Sequence, residues 1–137
     1  MIRILCIGNC YIEPDSLGAR VYDLLSQTEL PPDVEVIDGG LAGLNLLPLL
    51  DGCERIVFVD TILGDDPTGL QILRADEVES AEVYGHASGL GYLLGAWRAL
   101  GDGPDQAVFV VGAAEAESAR KVADAALALA CGEEIYQ

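Results

Sequence analysis

Asp60 closes the run Arg55-Ile56-Val57-Phe58-Val59-Asp60, apolar from Ile56 to Val59. A carboxylate in that place lies beside the core, where a charge is costly unless it is paired, hydrogen-bonded or metal-bound. It could equally cap a turn or pair with an arginine. His86 is the single histidine of the chain, preceded by Gly85 and followed by Ala87-Ser88 ahead of a long amphipathic stretch. Lone histidines are commonly structural or exposed, but a loop position just before a helix faces the cleft of an α/β fold. Asp15 sits in an early acidic loop, with Glu13 as a nearby substitute, and could instead serve as the N-cap of the first helix. Two carboxylates and one imidazole, with coordination positions left open, suit a borderline divalent ion such as nickel, zinc or manganese. They do not suit a closed structural zinc site with four protein ligands.

Residues this far apart meet only if the elements between them bring them to one place. Ile2 to Ile7 is, apart from Arg3, an apolar run ending at Gly8, the pattern of a strand buried on both faces. Leu17, Val21, Leu24 and Leu25 fall on one helical face, capped by Asp15 or Ser16. Val34 to Ile37 reads as a second strand closed by Asp38-Gly39-Gly40, and a short helix is expected over Leu44 to Leu50. Pro48 is awkward inside that helix, since proline belongs in a first turn. Arg55 to Asp60 is the third strand, and Gly69 to Arg74 reads as a further, antiparallel edge strand. Ala75 to Tyr84 is acidic and weakly patterned. Leu90, Leu93, Leu94, Trp97 and Leu100 mark an amphipathic helix. Ala107 to Val111 is the last strand, followed by Gly112, and an Ala-rich helix runs from about Glu117 to Ala130, ended by Gly132.

Strands and helices alternating in this way predict an α/β fold: a three-layer αβα sandwich around a mostly parallel, about five-stranded twisted sheet. In such sheets ligands bind beyond the carboxyl ends of the strands. The polar loop residues after strands one, two and three, with His86, would therefore gather at one rim.

The chain's 137 residues suit a single domain over 1–137. The formal charge of -16 disfavours nucleic acid and anionic lipid as partners. No apolar stretch reaches the roughly 20 residues needed to span a bilayer, and the N-terminal run is too short for a signal peptide. A cytoplasmic location is the expectation. Cys6, Cys10, Cys53 and Cys131 form no CxxC pair, so reduced thiols are expected rather than a disulfide scaffold. Cys6 reads as a small core residue. Gly8-Asn9 before a helix hints at a phosphate loop, but neither GxGxxG nor GxxxxGK[ST] is present.

Taken in order, Ile4-Leu5-Cys6-Ile7-Gly8-Asn9, an acidic loop ending at Gly18, Asp38-Gly39-Gly40-Leu41-Ala42-Gly43-Leu44, Ile56-Val57-Phe58-Val59-Asp60, His86 with Gly89-Leu90, and Val110-Val111-Gly112 resemble the hydrogenase maturation endopeptidases. Members of that family trim the C-terminal extension from the large-subunit precursor of nickel-iron hydrogenases. The resemblance implies that Asp15, Asp60 and His86 contact a metal, nickel carried in by the precursor itself, with no organic cofactor. It assigns Gly39 and Gly40, with Asp38, to substrate recognition and activity.

The same resemblance implies a metal-guided, aspartic-type endopeptidase, acting as a monomer on the precursor, with Asp38 or Asp15 as the carboxylate that activates water. No Ser-His-Asp or Cys-His set competes for the role. Rival readings are a nickel-binding maturation chaperone that leaves its partner uncut, and a small nucleotide- or phosphate-binding protein using Gly8-Asn9. The chain departs from the family pattern at Glu13-Pro14-Asp15, where two adjacent acids are usual. Two further departures are Leu41, where threonine is usual, and Ala113, where proline is usual after the glycine.

Overall fold

The computed structural model describes residues 1–7, 17–40, 46–61, 70–74, 107–113 and 118–132. Five strands form one sheet: β1 (Ile2–Ile7), β2 (Val34–Gly40), β3 (Arg55–Thr61), β4 (Leu70–Arg74) and β5 (Ala107–Ala113). Their spatial order is β2-β1-β3-β5-β4. β1, β2, β3 and β5 run parallel, and only β4 is antiparallel, at the edge beside β5. The edge strand expected over Gly69 to Arg74 is therefore found, described over Leu70–Arg74.

Helices flank both faces, as the αβα expectation requires. On one face lie α1 (Leu17–Ser26) and α3 (Ala119–Ala130), packed against each other and over the central strands. Leu17, Val21 and Leu25 are the buried stripe of α1, and Val122, Ala126 and Leu129 belong to that of α3. Together with Ile4, Cys6, Val57, Val59 and Val111 they form one core. On the other face Leu5, Ile7, Ile56, Phe58 and Val110 pack with Leu46 and with Leu50 of α2 (Leu47–Leu50). Odd and even residues of β3 thus divide between the two cores, as a strand covered on both sides demands.

Several boundaries differ from the sequence expectation. α2 spans Leu47–Leu50 rather than beginning at Leu44, because Pro48 has to occupy the first turn. β2 continues through Asp38 to Gly40 instead of ending at Ile37, held in the sheet by pairing of Cys6 with Asp38 and Ile7 with Gly40. β5 runs on past Val111 to Ala113 because β3 and β4 both continue alongside it. At the start of α3, Ser118 rather than Glu117 marks the boundary, its hydroxyl accepting the Lys121 N–H at 3.4 Å. The expected turn at Gly132 is present at φ +88°, a conformation suited to glycine.

The end of the sheet opposite the strand C-termini is tied by arginines. Arg55 Nη1 donates to the Leu129 carbonyl at the C-terminus of α3 (2.9 Å), and its guanidinium lies 5.5 Å from the centre of the Phe109 ring. Arg3 donates to Glu35 and to the Leu49 carbonyl. Cys6, Cys53 and Cys131 are free thiols, the first two buried. No described helix is long and apolar enough to cross a membrane. Glu13, Asp15, His86, Cys10, Gly8-Asn9 and the helix expected over Leu90 to Leu100 lie outside the described residues.

Candidate active site

The parallel strands bring their C-terminal ends side by side, so Ile7, Gly40, Thr61 and Ala113 share one rim. β4 runs the other way, and its first residue, Leu70, reaches the same rim opposite Ala113.

Asp60 stands at this rim, paired with Gly112 of β5. Ile56 and Phe58 belong to the α2-side core, so the two-residue period of the strand turns Asp60 to that side as well. Its residual exposure is 1%, and it is the one polar residue among the described buried positions. Oδ2 is shut off from solvent with no hydrogen-bond donor at it among the described residues, while the residue makes interactions of its own elsewhere. A carboxylate in this setting is poorly served by water and well served by a cation.

Asp38 reaches the same end of the sheet on the opposite face. It pairs with Cys6, which belongs to the α1–α3 core, and its side chain is exposed. Asp38 Oδ1 accepts the Gly40 N–H at 3.1 Å, so the carboxylate closes its own Asp-Gly-Gly turn. The register slips between Cys6 and Ile7, leaving Gly39 as the extra residue of a β-bulge. A Cβ on Gly39 would come within 2.8 Å of Ile7 Cδ1 and 3.3 Å of Leu46 Cδ1. Gly40 has φ +58°, a left-handed conformation that penalises any side chain. Burial, and next the nearby Asp38 charge, push the Cys6 thiol up from 9.0 to about 12, which keeps it protonated and inert at neutral pH.

Gly18, which the sequence marks only as the end of the acidic loop, has a stricter role. A Cβ there would lie 2.1 Å from the Ile7 carbonyl oxygen and 2.7 Å from its carbon. The first turn of α1 therefore sits directly on the backbone at the end of β1, and only glycine permits the contact. Spacing alone gives no sign of such an approach; an early helical glycine shortly after a carboxylate is the one hint.

Of the residues expected to form the site, the structure brings Asp60, Asp38, Gly39 and Gly40 to one rim, with Asp38 and Asp60 on different faces. No three His, Cys, Asp or Glu side chains that could share a metal occur among the described residues, a set that excludes Asp15 and His86.

Residues 19–125 match the family model for the HycI hydrogenase maturation protease. The chain belongs to the hydrogenase maturation protease family. It is 31% identical over 115 residues to the hydrogenase 2 maturation protease of Escherichia coli K12, covering 80% of this chain and 70% of that protein. It is 34% identical over 79 residues to the hydrogenase expression/formation protein HupD of Rhodobacter capsulatus, covering 56% of this chain and 38% of that one. The solved structure of the hydrogenase maturating endopeptidase HybD from E. coli superposes with a TM-score of 0.73 at 27% identity, over 93% of this chain and 88% of that one. A maturation protease of this family is a peptidase, and the five-stranded, mostly parallel sheet described above is the family's fold.

Proposed function

We propose that this hydrogenase maturation protease removes the C-terminal extension of a nickel-iron hydrogenase large-subunit precursor once nickel is in place, with Asp15, Asp60 and His86 contacting that nickel. The observation that carries the reading is Asp60: a carboxylate 1% exposed at the end of a central strand, at the rim where α/β sheets bind their ligands. The position of α1 supports the part given to Asp15. Gly18 rests on Ile7, and Asp15 precedes Leu17 by two residues, at most about 7 Å of chain. The nickel belongs to the substrate and orients the scissile peptide beside the rim, a template role for a metal.

A carboxylate activates the attacking water as general base. Asp38 faces away from Asp60 and is engaged with Gly40, which favours Asp15 as that base and gives Asp38 the task of shaping the Gly39-Gly40 turn. The enzyme works as a monomer in the cytoplasm and needs no organic cofactor.

The test is incubation of nickel-loaded and nickel-free precursor with the wild type, Asp60→Ala and His86→Ala, followed by mass measurement of the precursor's C-terminal peptide. Cleavage by the wild type of loaded precursor only, lost in both variants while their circular dichroism is retained, is the expected result. Equal cleavage of nickel-free precursor would overturn the metal guidance. An uncut precursor that nevertheless binds would make the protein a maturation chaperone.

A further inference from the structure

A second polar side chain stands on the same face of the rim as Asp60. Because β4 is antiparallel, its N-terminal end comes to the strand C-termini, and the register runs Asp60 to Gly112 to Gln71 across three adjacent strands. Residues opposite one another in neighbouring strands point to the same face. The flanking residues agree: Leu73 packs on the α2-side core with Phe58 and Val110, while Leu70 and Ile72 pack on the other side. Gln71 therefore faces the side to which Asp60 faces, two strand spacings or about 10 Å away between Cα atoms. The residue between them, Gly112, is buried, as is Asp60, so of this row only Gln71 is open to solvent.

Gln71 is exposed, whereas Leu70, Ile72 and Leu73 around it are partly buried. Nothing in the packing of β4 calls for a glutamine at this point. Its carboxamide both donates and accepts hydrogen bonds, the complement of a peptide unit. We infer that Gln71 is a substrate-positioning residue, whose carboxamide holds the main chain of the precursor's C-terminal segment at the exposed edge of the sheet as the scissile bond is brought toward Asp60. This rests on the protease reading above. It adds a contact to peptide rather than to metal, from a strand that contributes none of the residues assigned so far.

Gln71→Met keeps the length and apolar stem and removes both hydrogen-bonding functions. Because the site is exposed, the variant is expected to fold and melt like the wild type. Steady-state cleavage of nickel-loaded precursor should show KM raised about three- to tenfold with kcat within about twofold, the signature of a lost binding contact. Affinity for the precursor, measured by calorimetry with the same two proteins, should fall by the same factor. Unchanged KM and affinity in Gln71→Met, or a loss confined to kcat, would overturn the inference. If the wild type binds precursor without cutting it, the protease reading fails while the affinity comparison still judges Gln71. A wild type that does not bind would overturn both.

Discussion

Asp38 and Asp60 have the same chemistry and sit at the same end of the sheet, yet their surroundings give them different work. Asp60 is buried on the α2 side, and Asp38 is exposed on the other with its Oδ1 on the Gly40 N–H. A carboxylate needed for its turn can be replaced by an amide, since the Asn Oδ1 accepts the same bond. Asp38→Asn is therefore expected to keep at least about a tenth of wild-type cleavage, and Asp38→Ala to lose more, because the turn is left without its acceptor. Equal inactivity of the two would return Asp38 to the role of general base. The thiol beside it gives a pH prediction. The Cys6 pKa is raised in the folded state, from 9.0 to about 12, so folding holds a proton that the unfolded chain releases. The associated stability is complete below pH 9 and is lost as pH rises toward 12. Denaturant midpoints of the wild type should fall through that window, and Cys6→Val should flatten the slope. In native protein at about pH 8, a thiol reagent followed by peptide mass mapping should mark Cys131, which is exposed, and spare Cys6 and Cys53.

At the scale of elements, the contact between α1 and the end of β1 governs the rim. A methyl on Gly18 has backbone rather than a flexible side chain in its way, at 2.1 Å, so helix or strand must shift. Gly18→Ala is expected to destabilise the fold by roughly 1–3 kcal/mol, the ordinary range for overpacking, read as a lower denaturant midpoint. The effect on cleavage should exceed the part that lost stability explains, since Asp15 lies only two residues ahead of the helix in the chain. Activity equal to wild type in folded protein would disconnect the helix from the site. Much of this architecture is written plainly in the chain. The apolar runs Ile4–Ile7 and Ile56–Val59 read as buried strands, and the leucine spacing in α1 reads as a helix. The bulge at Gly39 and the Gly18–Ile7 approach are not written there, because both come from residues distant in sequence meeting through the sheet. Likewise period-two alternation places Asp60 and Asp38 at strand ends, but only the pairing register says that they face opposite ways.

For the whole molecule, the net charge of -16 and the αβα layering were both within reach of composition and pattern. Strand order was not, since alternation of elements permits several orders and only the observed one sets Gly112 between Asp60 and Gln71. That order has a consequence at the edge of the sheet. Thr61, where β3 ends, and Leu70, where β4 begins, are both neighbours of Ala113, so chain leaves and re-enters the framework only two strand widths apart. Through Ala113 the sheet therefore fixes the span that residues 62–69 have to bridge.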